Sequence, residues 1–194
     1  MKMTPVNKLS GNFYMIIISL ALVASIIFLQ VYFMGNAIGG LAGGFVIAWF
    51  VWLFGSYQNK KASKKLLILY ASGIIIQCIH FTEEYYTGFQ QKFPLLISDY
   101  SWSDPQFVWF NGVWMMVFIA SAFGIRQKIS LAYLFAWFFV LIGEIGNGIF
   151  HPALSLYTGS YFPGLYTSFL HLANGIFLFR ELRKLAFTTI NQKL

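Results

Sequence analysis

Of the chain's 194 residues, 58% are apolar, 20% aromatic and only 10% charged, against about 25% charged in an ordinary soluble domain. Its 13 basic and 6 acidic residues cannot coat a water-soluble globule, which excludes a soluble enzyme and a disordered chain. The single cysteine, Cys78, excludes an internal disulfide.

A membrane-crossing helix needs about 20 apolar residues, and the sequence offers six such runs. The first covers residues 13–34, behind Lys2 and Lys8. It outlasts the apolar core of about 7–15 residues in a secretory signal, so it reads as a retained span. The second, 37–57, opens on overlapping G-x-x-x-G patterns formed by Gly35, Gly39, Gly40, Gly43 and Gly44. Close packing on the first span is the expected use, with a homo-oligomer face as the alternative. The third, 66–86, ends on His80-Phe81-Thr82-Glu83-Glu84. The loop 87–105 follows, with Asp99, Asp104, Tyr100 and Trp102. Together with Trp109 its aromatics suit an interfacial belt, or a surface over a substrate portal. The fourth run, 106–125, carries Asn111. The fifth, 129–150, carries Glu144 and Asn147 and places His151 at its outer end. The sixth, 163–185, carries His171 and Asn174, with Glu181 among Arg180, Arg183 and Lys184 as an expected solvated partner. Gly, Pro and basic residues punctuate the breaks.

The reading is a single all-α domain, a polytopic bundle of six transmembrane helices with both termini cytoplasmic. Twelve of the thirteen basic residues (Lys2, Lys8, Lys60, Lys61, Lys64, Lys65, Arg126, Lys128, Arg180, Arg183, Lys184 and Lys193) then fall inside, and only Lys92 outside. That is the positive-inside pattern of a protein in a cytoplasmic-type membrane. It accounts for the net charge of +7 without nucleic acid.

Ionisable side chains within a bilayer are costly and face the bundle interior. At about 1.5 Å rise per residue, His80 lies about 9 Å below the outer end of its span, Glu144 about 10 Å and His171 about 12 Å. Glu83, Glu84 and His151 lie nearer the surface, and Asn111 and Trp109 can join the same layer. His80 shares a helix face with Glu84 at i, i+4. Glu144, Asn147 and His151 form one stripe, and His171 and Asn174 another. Facing stripes of nitrogen and oxygen ligands are how helical bundles build metal sites.

These residues carry a family likeness. His80 to Glu84 reads H-x-x-E-E, Asn147 to His151 reads N-x-x-x-H, and Pro163-Gly164 gives a later P-G. The ordered set resembles the HXXEE family of small prokaryotic membrane proteins, over roughly residues 66–185. The resemblance implies that His80, Glu83, Glu84, Asn147, His151, Pro163 and Gly164 matter, and names no reaction.

The chemistry expected from the residues is that of a metal-dependent hydrolase acting on a lipid or lipid-linked substrate from the outer leaflet. His80, His151 and His171, with Glu144 beside them, would hold a divalent ion, Zn²⁺ by ligand type. Glu84 or Glu83 would take a proton from water and Asn147 would donate to the oxyanion. Three Glu and three His also approach a two-metal iron oxidoreductase. A non-enzymatic polar core, or an acid–base pair that shuttles protons without metal, stays open. A haem held by two of the histidines would leave the glutamates unused. Cysteines placed in residues 87–104 and 155–162 should label from outside intact cells. Labelling at Ala62 instead would overturn the orientation.

Overall fold

The computed structural model describes residues 5–57, 61–98 and 100–187, among which there are helices and no strand. Lys2, Lys60, Asp99 and Lys193 lie outside the described residues. Helix α1 is Pro5–Met34. Gly35, at φ 71°, turns the chain into α2, Gly39–Val51, which widens into a π-helical turn at Trp52–Ser56. Helix α3 is Lys64–Thr87 and the short α4 is Phe89–Lys92. Helix α5 is Asp104–Arg126. Helix α6, Ser130–Phe138, runs through a π-helical stretch, Phe139–Gly146, into α7, Asn147–Thr158. Helix α8 is Leu165–Phe187.

Local chemistry sets these ends. Ser63 caps α3 by accepting from the Leu66 N–H, and Ser103 with Gln106 forms a reciprocal capping box for α5. Glycines in the left-handed region close α3 at Gly88 and α7 at Gly159. The fifth span is longer than expected, Ser130–Thr158. Pro152 does not end it: a proline removes one backbone hydrogen bond, a loss that membrane helices tolerate, and the helix runs on to Thr158 with Pro152 inside it. His151 therefore lies inside a helix rather than at its end.

Among the described residues five helices are long and apolar enough to cross a membrane, which is consistent with an integral membrane protein. They are Phe13–Met34, Asn36–Ser56, Lys64–Thr87, Asp104–Arg126 and Ser130–Thr158. Helix α8 is not among them, because its polar residues dilute its hydropathy. Those residues nonetheless lie on one side: Thr167, Ser168, His171, Asn174 and Glu181 are buried, while Tyr166, Phe169, Leu170 and Phe177 are exposed. Glu181 was expected in solvent among its basic neighbours. It is instead buried and accepts a hydrogen bond from Ser63 Oγ at 2.8 Å.

Two apolar clusters flank the polar level. One is built on Trp52, Trp137, Tyr70, Tyr133, Phe45 and Phe139. Its two indoles are paired across helices: Trp52 Nε1 donates to Ser130 O at 2.8 Å and Trp137 Nε1 to Ser56 Oγ at 2.8 Å. The other, on the opposite side of that level, joins Met34, Phe89, Phe93, Trp102, Phe107 and Phe162. Trp102 is thus no belt residue. It is 4% exposed and its Nε1 donates to Met34 O at 2.8 Å, whereas Trp109 is exposed as a belt residue would be. The glycines of α2 also differ from expectation. A Cβ at Gly44 would strike Ile142 of the π stretch rather than α1, and Gly39, Gly40 and Gly43 face open space.

Candidate metal centre between α3, α7 and α8

Helices α3, α7, α8 and the π stretch pack against one another and enclose the three histidines, each 1% exposed or less. Two of the imidazoles meet nitrogen to nitrogen. His80 Nε2 and His151 Nε2 are 3.1 Å apart. Glu84 Oε1 lies 3.5 Å from the first and 3.4 Å from the second. These three residues form a buried group able to hold a metal ion.

The opposite edges of the two rings settle their protons. His151 Nδ1 lies 2.6 Å from Pro163 O, and a carbonyl can only accept, so Nδ1 carries a hydrogen. His80 Nδ1 lies 2.6 Å from Thr167 Oγ1, whose own hydrogen goes to Glu83 Oε2 at 2.6 Å. The hydroxyl must therefore accept from His80 Nδ1. In the neutral rings both Nε2 atoms are then bare lone pairs, facing each other and a carboxylate oxygen. Lone pairs so arranged can hold a metal ion or share a proton.

Glu83 is fully occupied elsewhere. Its Oε1 accepts from Tyr161 Oη at 2.7 Å and the Tyr166 N–H at 3.0 Å. Its Oε2 accepts from the Thr167 N–H at 2.8 Å and Thr167 Oγ1. A carboxylate has about four acceptor positions, so none is left for a reacting proton. Glu83 instead caps the N-terminus of α8 from α3, where helix dipole and free N–H groups favour a negative charge. Burial foremost, with the Glu83 carboxylate adding, pushes the Tyr161 phenol up to about 12, which keeps it a donor at neutral pH.

His171 and Glu144, expected as ligands, form a second pair. His171 Nδ1 donates to Glu144 Oε1 at 3.1 Å, and Asn174 Nδ2 donates to Glu144 Oε2 at 2.7 Å. The His171 ring meets that of His80 edge to face at 4.6 Å, and its Nε2 is buried without a partner. Glu144 sits in the π stretch, a feature often found at functional sites. Gly73 and Gly175 make room for it: a Cβ there would come within 2.7 Å and 2.8 Å of its side chain. Asn147 and Asn111 line the cavity described below, whereas Trp109 does not.

Two contributors were not singled out in the sequence: Thr167 relays between Glu83 and His80, and Gln77 continues the His80–Glu84 stripe along α3. Its spacing of seven residues from Glu84 was the available signal for Gln77. Pro163, marked by the P-G pair, acts through its carbonyl. Searches against known proteins found no matching family model, curated protein or solved structure.

Gly164 explains the P-G pair physically. At φ 87° it lies in the left-handed region, and a Cβ there would come within 2.5 Å of the His151 ring and 2.8 Å of His80. Gly159, at φ 66°, has open space around its Cβ position. Gly159→Ala should therefore cost only the backbone term, about 1–2 kcal/mol. Gly164→Ala should cost clearly more, read as a larger drop in melting temperature in detergent. Equal drops would mean that the two imidazoles do not pack on this glycine.

Proposed function

We propose that the protein is a membrane-embedded, metal-dependent hydrolase of a lipid or lipid-linked substrate. The observation that carries this is the pair of Nδ1-tethered imidazoles with their Nε2 atoms 3.1 Å apart beside Glu84 Oε1. Around a tetrahedral ion with bonds of about 2.0–2.1 Å, ligand atoms stand about 3.3 Å from one another. The three separations of 3.1, 3.4 and 3.5 Å bracket that value. Two histidines and one glutamate also make a catalytic zinc ligand set, which leaves a fourth position for water.

A bound divalent ion supplies Lewis acidity and lowers the pKa of a water. The protein's own parts are then distinct. Thr167 and the Pro163 carbonyl fix ring orientation and tautomer, the second-shell function of many metal sites. Glu83 holds Thr167 and the start of α8 in place, so it is a positioning residue. Glu84 would offer Oε1 as a ligand, and its other oxygen would accept the proton of a water. Asn147, on the cavity wall, would donate to an oxyanion. The aromatic cluster around Trp102 excludes bulk water.

The fold reading extends to six spans with both termini cytoplasmic. Support comes from α8, whose polar residues face inward and whose exposed face is apolar, and from the lysine and arginine bias.

A second reading needs no ion. A separation of 3.1 Å also fits a hydrogen bond between a protonated and a neutral imidazole, with Glu84 as counter-charge. Metal analysis of purified protein divides the two. The hydrolase reading expects one divalent ion per chain, lost in His80→Ala and His151→Ala and retained in His171→Ala. Thr167→Val should weaken binding about 10–100-fold, as loss of a second-shell partner does. Hydrolysis of p-nitrophenyl palmitate should stop on chelation and return with Zn²⁺. A metal-free protein whose melting temperature ignores chelator and added Zn²⁺ favours the proton-sharing pair, because an ion bound only by the folded state must raise its stability.

A further inference from the structure

A cavity of about 620 Å³ reaches the metal centre at Glu84 and His151. At the ~30 Å³ taken by a water-sized group, it has room for roughly 20 non-hydrogen atoms. That suits one hydrocarbon chain and falls well short of a two-chain phospholipid. Its walls are aromatic and aliphatic, with Phe89, Phe107, Trp114, Phe118 and Phe138 among them.

Two further observations define how it is used. The first is an opening. Gly40 on α2 and Ile149, Phe150 and Ala153 on α7 line the cavity and are all exposed. One turn inward from Gly40, Gly44 closes on Ile142, while nothing lies within 4 Å of a Cβ placed at Gly40. The cavity thus opens sideways between α2 and α7, toward the surface that bears the exposed apolar side chains. The second is an unpaired polar atom. Gln77 lines the cavity, is 8% exposed, and its Oε1 is buried without a partner. An amide oxygen left bare in an apolar wall is costly unless something donates to it. Gln77 lies two turns below Glu84 on the same face of α3, about 10 Å further into the membrane.

We propose that the cavity takes a single hydrocarbon chain of a lipid, sliding in from the bilayer between α2 and α7, and that Gln77 accepts a hydrogen bond from a hydroxyl or amide N–H on that chain. The chain's reacting group sits at the outer end, beside Glu84 and His151, and its donor about 10 Å away. The assignment rests on the hydrolase reading only for which end reacts. A plain saturated chain fills the space but leaves Gln77 bare, so a chain with a mid-length hydroxyl binds better.

The test uses chelator-stripped protein in detergent, with dibrominated stearyl alcohol as a quencher of tryptophan fluorescence. Trp102 and Trp114 line the cavity. Expected are saturable quenching, displacement by stearyl alcohol, and displacement at least tenfold more potent by its mid-chain-hydroxylated counterpart. Gly40→Phe, placed in open space, should weaken quenching at least tenfold at unchanged melting temperature. Gln77→Leu should keep binding of the plain chain and abolish the preference for the hydroxylated one. Unsaturable quenching that Gly40→Phe does not alter would overturn the portal and the cavity. Equal displacement by the two alcohols in wild type would overturn the role of Gln77. Because no ion is present, a failure here is separate from a failure to bind metal.

Discussion

The structure turns on two imidazole nitrogens brought together beside a carboxylate. Two imidazoles have their Nδ1 hydrogens committed to Pro163 O and Thr167 Oγ1, and this commitment aims both Nε2 atoms at each other and at Glu84. In an apolar interior, bare acceptors at van der Waals distance cost free energy that nearby apolar packing does not recover. The surrounding architecture serves to keep them there. Glu83 joins α3 to the first turn of α8, Gly164 lets the loop before α8 press on both rings, and the π stretch brings Glu144 beneath His171.

This arrangement divides two adjacent glutamates between two tasks. Glu83 and Glu84 differ by one helical step, about 100° around the axis. One faces the α8 terminus and spends its oxygens on four donors; the other faces the ligand group. A carboxylate saturated with donors holds structure, and a carboxylate beside bare nitrogens has charge available for chemistry. The His171–Glu144–Asn174 set has a comparable logic, with a fixed ring edge and one free nitrogen.

Much of this was legible in the chain because the period of a helix is fixed. His80 and Glu84 at i, i+4 had to share a face, and the apolar runs gave the first five spans with their breaks. Three things were not legible. The break after residue 150 suggested an end to the fifth span, because sequence alone does not separate a proline that stops a helix from one, such as Pro152, that a membrane helix carries inside it. Glu181 read as solvated, because its partner Ser63 is 118 residues away. The separation of Glu83 from Glu84, and of His171 from the ligand group, depends on long-range contacts through Thr167 and Asn174. Spacing along one helix places a side chain on a face but does not say what stands opposite it.

The central claim is that His80, His151 and Glu84 share one ion. X-ray absorption at the zinc edge of protein loaded with one equivalent of Zn²⁺ tests it most directly. The account predicts two imidazole nitrogens and light oxygen ligands at about 2.0–2.1 Å, with the imidazole scattering reduced in His80→Ala and in His151→Ala and unchanged in His171→Ala. A spectrum of hydrated zinc without imidazole scattering, identical in wild type and all three variants, would contradict it.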